Sequence, residues 1–311
     1  MTPFCAAIDW GTSSFRLWLL SEEGGVLAER RSDEGMVRAA PSGFDVVLER
    51  HLAELGVAEN LPVIICGMAG ARQGWREAGY LDTPCNVADV IRDALKVDAH
   101  PRDVRILPGI AQRDAGAPDV MRGEETQLLG LVADGVRSGL ICMPGTHSKW
   151  VAPADGKVEA FSTYMTGELF AILSRHSILS ATVSAETEIL PDDPAFRDSA
   201  KLAFADPHAL SNLLFHVRSA QLLGFAPASE GAARLSGLLI GFEIAGAMAR
   251  HGPVGDVTLV ASGGLGDLYR SVLEERDVAV RSYDANEAVR RGLMSAARAF
   301  WAGEGSQYYG Y

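Results

Sequence analysis

The sequence has few of the features that would place the protein on a nucleic acid or in a membrane. It holds 28 Lys and Arg against 40 Asp and Glu, a formal net charge of −12, whereas a phosphate backbone attracts clustered cations. No apolar run reaches the roughly 18 uninterrupted residues of a membrane helix, and no secretory signal pattern opens the chain. We therefore expect a cytoplasmic protein that binds neither nucleic acid nor membrane, and small anionic ligands remain open as partners.

Cysteine is scarce, and its spacing is not that of a metal or disulfide framework. None of the four cysteines forms a C-x-x-C pair, and Cys5, Cys66 and Cys142 lie inside apolar runs typical of strands. This pattern predicts buried free thiols. With 311 residues, 48% hydrophobic and 22% charged, the chain has the composition of a globular protein rather than a disordered one, and it is long enough for about two domains.

Two segments repeat one plan of strand, Gly-Thr loop and returning strand. The first runs from Phe4 through Asp9 and the loop 11–14 to Leu20, and the second comprises 140–143, the loop 144–149 and 150–152. A further strand follows each. Such a weak repeat of architecture is typical of a duplicated domain. It predicts an α/β protein with domains at 1–138 and 139–285, and a C-terminal helix, 286–302, available to pack on the first.

Hydrophobic periodicity and turn residues predict the remaining elements. The predicted helices are 44–55, 87–97, 123–135, helical material over 167–226, 236–249, one starting near Leu265, and a last helix capped by Asn286. The other predicted strands are 26–31, 61–68, 104–107, 257–261 and 278–283. The tail from 303 to 311 is expected to fray.

Three loops carry residues suited to a nucleotide. Asp9 closes a strand before the first Gly-Thr loop, where a carboxylate can hold hydrated Mg²⁺ and backbone N–H groups can hold phosphate oxygens. The alternative for that loop alone is an ordinary hairpin turn. A second Gly-Thr loop and a Gly-Gly turn after a buried strand follow along the chain. The predicted nucleotide contacts are Gly11, Thr12, Ser13, Gly145, Thr146, Gly263 and Gly264.

In this order the three loops resemble the phosphate and adenosine motifs of the actin-like ATPase and sugar-kinase superfamily. That resemblance implies two ribonuclease-H-like α/β domains, a nucleotide cleft between them, and ATP with Mg²⁺ as cofactors. Four strings resemble the 2-dehydro-3-deoxygalactonokinase family more specifically. They are Gly67–Trp75, Asp119–Gln127, Pro144–Trp150 and Met165–Phe170.

The family resemblance implies a transferase that phosphorylates the 6-hydroxyl of 2-dehydro-3-deoxy-D-galactonate with ATP, in galactonate or galactose catabolism. The partners it implies are the sugar acid and ATP, and a homo-oligomer remains open. The pattern of the wider superfamily is broken at one point: Met143 stands where the second loop of many relatives has an Asp, and residues 144–149 contain no acid. The catalytic carboxylate must therefore come from elsewhere.

Glu124 and Glu125 are the best paired acids for that task, because they open a predicted helix whose dipole favours carboxylates. One of them could orient the attacking hydroxyl or hold Mg²⁺ through water. The alternative is that both only decorate the helix N-terminus. Lys149 is a candidate to neutralise charge on the transferring phosphoryl group.

The sugar acid needs a cation for its carboxylate and polar groups for its hydroxyls. Arg72 and Gln73 are the first candidates, with His147 and Glu168 as further substrate contacts. Arg72, His147 and Glu168 have plainer alternatives, which are a surface arginine, a loop histidine and a helix-end acid.

Two other functions stay open at this point. With water as the nucleophile, the same fold would give a phosphatase or polyphosphate hydrolase. Without chemistry, it would give an ATP-dependent switch or a sugar-acid sensor.

Overall fold

The computed structural model describes residues 2–98, 100–184, 186–252 and 255–303. The chain divides into two compact units. Unit 1 comprises the described residues of Met1–Ser138, Pro153–Ala160 and Ala285–Tyr311, and unit 2 those of Gly139–Ala152 and Phe161–Asp284. The tail predicted to fray comprises residues 303–311, and of these the residues from 304 onward lie outside the described ones.

Unit 1 is built on a mixed sheet with helices. Its elements are β1 (Cys5–Trp10), β2 (Phe15–Leu20), β3 (Val26–Ser32), α1 (Met36–Ala39), α2 (Phe44–Glu54), β4 (Val63–Gly67), β5 (Tyr80–Asp82), β6 (Cys85–Asn86), α3 (Asp89–Arg92), β7 (Leu95–Lys96), β8 (Val104–Ile106), β9 (Gly109–Gln112), β10 (Asp119–Met121) and α4 (Glu124–Ala133). The large sheet has the order β3-β2-β1-β4-β8-β7, with β1 antiparallel to β2 and parallel to β4. The predicted first hairpin and third strand are present.

Unit 2 repeats this sheet plan and adds helices. Its elements are β11 (Leu140–Met143), β12 (Ser148–Ala154), β13 (Lys157–Tyr164), α5 (Thr166–His176), α6 (Pro194–Ala205), α7 (Leu210–Leu222), α8 (Gly231–His251), β14 (Asp256–Ala261), α9 (Gly264–Glu274) and β15 (Ala279–Asp284). The sheet order is β15-β14-β11-β12-β13, with β11, β14 and β15 parallel. The tip of the β12–β13 hairpin belongs to unit 1, where Val158 pairs with Cys85 of β6. A last helix, α10 (Ala285–Trp301), returns to unit 1.

The core of unit 1 joins α2 to the sheet. Phe44, Val47, Leu48 and Leu52 recur at helical spacing and are buried, which is the stripe that an amphipathic helix turns to its core. Trp10, at the end of β1, lies fully buried with its ring centroid 5.0 Å from that of Phe44. This packing fixes the end of β1.

The helices α4 and α10 touch backbone to backbone in unit 1. A Cβ built on Gly130 would lie 2.0 Å from the carbonyl oxygen of Ala288, and one built on Gly292 would lie 2.0 Å from that of Thr126. Only glycine permits such an approach. The contact holds the first turn of α4, which carries the predicted glutamates.

Helix α8 is the core helix of unit 2. It is buried over most of its length, and Cβ atoms at Gly237 and Gly241 would lie 2.2 Å and 2.3 Å from carbonyl oxygens of α6. By length and composition the segment Ala228–His251 could also cross a membrane, but 72% of its apolar window is buried inside the protein. Burial of this kind is expected of a core helix in a globular protein.

Two predictions about local structure were wrong. The helix predicted over 87–97 is replaced by the single turn α3 and the short strand β7, because Leu95 pairs with Ile106 at the sheet edge. Asn286 does not cap α10 but lies inside it, and its side chain accepts a hydrogen bond from Arg16. In both cases a distant partner overrides a local signal. The small sheet β10-β9-β5 was not predicted at all.

The cysteine prediction is confirmed. All four cysteines are free and buried. Burial raises the pKa of the Cys5 thiol to about 12, so it carries no reactive thiolate at neutral pH.

Candidate active site

Asp9 lies at the carboxyl end of β1, between two neighbouring strands. It is beside Cys66 of β4 and opposite Arg16 of β2, and the Cys66 thiol is 3.9 Å from its Oδ1. Burial raises the pKa of Asp9, Arg16 lowers it, and the negative charge of Glu124 raises it. The Asp9 and Glu124 carboxylates therefore lie close enough in unit 1 to interact electrostatically. Arg16 is not part of a sequence motif, and the alternating pattern of the β1–β2 hairpin is the signal that could place it opposite Asp9.

The loop 11–14 after Asp9 turns its carbonyl groups toward the protein. The carbonyl oxygens of Gly11 and Thr12 accept hydrogen bonds from Met36 at 2.9 Å and Val37 at 3.2 Å. Among the described residues, the backbone N–H groups of Thr12 and Ser13 find no acceptor. A loop with its carbonyls bound and its amides open is suited to an anion such as phosphate.

The two adjacent glutamates of α4 have different surroundings. Glu124 is partly exposed, and its Oε2 accepts a hydrogen bond from the Arg122 amide at 3.1 Å. Glu125 is fully buried, with Oε2 accepting from the Gly123 amide at 2.6 Å and Oε1 from the Thr126 hydroxyl at 3.0 Å. Burial and the neighbouring Glu124 raise the pKa of Glu125 to about 8. Glu125 thus ties down the helix start, while Glu124 is the one that a ligand can reach.

The helix start lies close to the loop that follows β4. Gly123 has φ +107°, and a Cβ there would lie 3.7 Å from Cα of Gly67. Gly67 itself has φ +88°, and its Cβ would lie 2.7 Å from the carbonyl oxygen of Trp10. These approaches draw the ends of β1 and β4 and the start of α4 together, and so bring Asp9 and Glu124 into one site.

In unit 2 the structure brings two predicted substrate contacts together. The His147 Nε2 lies 2.5 Å from the Glu168 Oε2, and both side chains are about half-exposed. The Glu168 amide donates to the carbonyl oxygen of Thr146 at 3.0 Å, and a Cβ on Gly167 would lie 2.5 Å from the carbonyl oxygen of Gly145. The second Gly-Thr loop therefore rests on the first turn of α5.

Lys149 belongs to a strand rather than to the loop. It pairs with Met143 across β11 and β12, is 4% exposed, and its Nζ donates to the carbonyl oxygen of His147 at 3.3 Å. Its predicted role toward a phosphoryl group remains a prediction.

The Gly-Gly turn lies at the start of α9 beside a cavity. Gly263 has φ +71°, and a Cβ on it or on Gly264 would touch nothing within 4 Å. A cavity of about 260 Å³ is lined there by Ser262, Gly263, Asp267, Arg270, Tyr283 and Asp284, among others. The open space above the glycines is compatible with a flat ligand lying against backbone.

Arg72 and Gln73 lie on the segment that follows β4. Both side chains are exposed, and Arg72 makes no hydrogen bond or ion pair with the part of the chain that the structure describes. Gln73 lines a cavity of about 500 Å³ in unit 1, with Trp75, Arg76 and His100 among its other walls. The two side chains are thus available to a ligand.

The donor set of unit 1 fits a hydrated magnesium ion. No group of three or more His, Cys, Asp or Glu gathers among the described residues, but Asp9 and Glu124 interact electrostatically. Mg²⁺ keeps several waters and takes one or two protein carboxylates together with phosphate oxygens. Two carboxylates near a phosphate-type loop match that preference.

Fold and site together define a class of protein. The activator of the 2-hydroxyisocaproyl-CoA dehydratase from Clostridium difficile, solved with bound ADPNP, matches 99% of this chain and 99% of its own at 12% identity with a TM-score of 0.55. A likeness at this identity concerns the fold alone. The two units have the ribonuclease-H-like α/β fold that actin-like ATPases and sugar kinases share.

Sequence comparison narrows the class to one family. The sequence model of the 2-keto-3-deoxy-galactonokinase family matches residues 9–296. A relative from Rhizobium meliloti (strain 1021) named as a 2-dehydro-3-deoxygalactonokinase is 56% identical over 96% of this chain and 98% of its own. The Escherichia coli (strain K12) 2-dehydro-3-deoxygalactonokinase is 32% identical over 96% and 99%. A crystal structure of a Sinorhizobium meliloti protein described by the same enzyme name matches 96% of this chain and 99% of its own at 57% identity, with a TM-score of 0.92.

The chain belongs to the 2-keto-3-deoxy-galactonokinase family. It is accordingly a sugar-acid kinase, a phosphotransferase with an alcohol group as acceptor. The resemblance inferred from the four sequence strings is confirmed.

One buried acid escaped the sequence analysis. Glu243 of α8 is fully buried and accepts hydrogen bonds from Trp150 and Tyr269. Its apolar sequence predicts that α8 is a core helix, and the structure confirms this. The signal that could have revealed Glu243 is a lone acid within an apolar helix, because a buried carboxylate requires partners.

Proposed function

We propose that the protein transfers the γ-phosphoryl group of ATP to the 6-hydroxyl of 2-dehydro-3-deoxy-D-galactonate, as a cytoplasmic enzyme of galactonate or galactose catabolism. The observation that carries the proposal is the family match over residues 9–296. The E. coli relative, at 32% identity over nearly its whole length, bears the name of this activity.

Glu124 is the proposed residue that orients the attacking hydroxyl and accepts its proton. Its support is its partial exposure at the start of α4 and its electrostatic contact with Asp9. Glu125 is proposed to hold the helix start rather than to act on the substrate. Both of its carboxyl oxygens already accept hydrogen bonds, one from the Gly123 amide and one from the Thr126 hydroxyl. A group with a pKa of about 8 is also mostly protonated at neutral pH.

The phosphates of ATP are proposed to lie against the loops 11–14 and 144–149, with the adenosine at the Gly263-Gly264 turn. Asp9, with Glu124 through water, would hold Mg²⁺, which neutralises phosphate charge when bound. Phosphoryl transfer depends on positioning and charge neutralisation more than on covalent chemistry. Open backbone amides and paired carboxylates are what such catalysis requires.

The sugar acid is proposed to use Arg72 for its carboxylate and Gln73, His147 and Glu168 for its oxygens. The guanidinium offers a two-pronged donor to a carboxylate. The His147 Nε2 and the Glu168 Oε2 hydrogen-bond to each other, which leaves the second imidazole nitrogen and the second carboxylate oxygen for sugar hydroxyls.

The test is ADP release from MgATP by the purified protein with no acceptor, with 2-dehydro-3-deoxygalactonate and with 2-dehydro-3-deoxygluconate, together with mass detection of the sugar phosphate. We expect release with the galactonate-derived acid and a product phosphorylated at the terminal hydroxyl. ADP release that does not depend on either sugar acid would refute the proposal and favour a hydrolase. Preference for the gluconate epimer would overturn the proposed substrate but not the reaction.

A further inference from the structure

A chain of buried polar side chains crosses unit 2 beneath the second Gly-Thr loop. Its centre is Glu243 on α8, whose Oε1 accepts from Trp150 Nε1 at 2.8 Å and whose Oε2 accepts from the Tyr269 hydroxyl at 2.5 Å. The Tyr269 oxygen lies 3.0 Å from Ser148 Oγ. Glu243, Trp150 and Tyr269 are each 0–1% exposed, and Ser148 is fully buried.

The direction of this chain follows from the number of protons. With Glu243 ionised, the Tyr269 hydroxyl donates its one proton to the carboxylate and can only accept from Ser148, whose hydroxyl also hydrogen-bonds to Glu243 itself. The Ser148 oxygen is then free to accept, and the Gly145 amide points at it from 3.4 Å. The donors thus run in one direction, from the amide of the Gly-Thr loop to the buried carboxylate.

The partners of Glu243 come from three segments that carry site residues. Ser148 and Trp150 belong to β12, which continues the Gly-Thr loop, and Tyr269 lies on α9, which begins at the Gly-Gly turn. Thr166, which also hydrogen-bonds to Glu243, precedes Gly167 and Glu168 at the start of α5.

A role confined to stability explains this arrangement less well. Taking a carboxylate out of water costs several kcal/mol, and an apolar side chain of similar volume often stabilises a core at least as well. What an acid adds is direction, since it accepts several donors at once and fixes the orientation of each.

We propose that Glu243 is a positioning residue for nucleotide binding, which acts through Tyr269 and Ser148 to hold the 144–149 loop in the arrangement that binds phosphate. This inference rests on the proposed function, which identifies the ligand of the loop as ATP. Glu243 itself touches no ligand.

Two substitutions disrupt the chain with little change in volume. Glu243→Gln replaces one acceptor oxygen by a donor, so with its carbonyl oxygen on Trp150 its NH₂ group donates to the Tyr269 hydroxyl and reverses the direction of the chain. Tyr269→Phe removes the hydroxyl through which Ser148 reaches Glu243 Oε2 and leaves only the direct contact of Ser148 with Glu243. The matched control is Glu275→Gln, which changes an acid just after the end of α9 that pairs with Arg197 and Lys201 instead.

The experiment measures the affinity for MgADPNP by calorimetry and the amide hydrogen exchange of the segment 144–149, in the wild-type protein, the two variants, their double variant and the control. A hydrogen bond to a charged group is worth roughly one tenfold step in affinity. We expect each variant to bind ADPNP about tenfold more weakly and to exchange faster in this segment. The double variant should lose little more than either single one, because both substitutions act on one hydrogen-bonded chain.

Unchanged affinity in both variants, or an equal loss in Glu275→Gln, would overturn the role of Glu243. A wild-type protein that binds ADPNP but releases no ADP with either sugar acid would refute the proposed reaction and leave the role of Glu243 to be judged by the same affinities. A wild-type protein that does not bind ADPNP would overturn both.

Discussion

We expect Glu125→Gln to remove a large pH-dependent contribution to the stability of unit 1. The pKa of Glu125 rises from 4.5 to about 8 in the folded protein because the carboxyl is buried beside Glu124. Between these values the folded state keeps the proton that the unfolded state has released. The free energy of unfolding therefore falls as the pH rises, by about 1.4 kcal/mol per pH unit and by roughly 5 kcal/mol at most across the whole interval. The contribution is fully present below pH 4.5 and is lost once the pH has passed about 8.

The glutamine variant should keep the local structure. Its carbonyl oxygen can accept from the Gly123 amide and its NH₂ group can donate to the Thr126 hydroxyl, where the native carboxyl makes hydrogen bonds of 2.6 and 3.0 Å. Since glutamine does not ionise, the variant should gain stability relative to the wild type as the pH rises.

Urea unfolding at pH 5 to 9, followed by tryptophan fluorescence, measures this difference. Of the five tryptophans, all except Trp150 belong to unit 1, so the signal reports mainly on that unit. Asp9 also has a raised pKa, and for this reason the quantity to follow is the difference between the variant and the wild type. Glu22→Gln, at an exposed acid, is the matched control for replacing a glutamate by glutamine. A difference between Glu125→Gln and the wild type that does not change with pH would refute the reasoning.

Three further predictions test the site and the packing. Glu124→Gln should lower kcat by about 100-fold or more with the fold intact, as expected for loss of a general base. Glu125→Gln should keep most of the turnover. Near-normal kcat in both variants would contradict the assignment of Glu124. Arg72→Ala should raise KM for the sugar acid and leave KM for ATP unchanged in steady-state assays. Arg92→Ala, at another exposed arginine, is the control. An equal rise of KM in both variants would exclude a specific contact between Arg72 and the substrate carboxylate. Gly292→Ala should destabilise unit 1 by about 1–3 kcal/mol in thermal unfolding, because its Cβ would lie 2.0 Å from the Thr126 carbonyl oxygen. A gain in stability, which helix propensity alone predicts for this change, would refute the close contact.

The sequence was most informative where the signal is local. The hairpin β1–β2 and the helix α2 follow from alternation and from helical spacing over neighbouring residues, and the structure places them within a residue or two of the prediction. The local signal failed at 87–97, where the apolar spacing indicated a helix. There the structure was decided by pairing at the sheet edge between Leu95 and Ile106, which lies eleven positions further along the chain. The short strands β5, β9 and β10 give too few residues for alternation to be visible.

The sequence by itself determined which chemical groups are present and in what order: an acid and a Gly-Thr loop, a pair of glutamates, a second Gly-Thr loop and a Gly-Gly turn. It could not tell Glu124 from Glu125, since adjacent residues share every local signal. Only the tertiary structure buried one and left the other within reach. The tertiary structure alone joined Glu243 to Ser148 through Tyr269. Burial and hydrogen bonding depend on partners that lie far away along the chain. These partners set the pKa of a buried acid and the orientation of the donors around it.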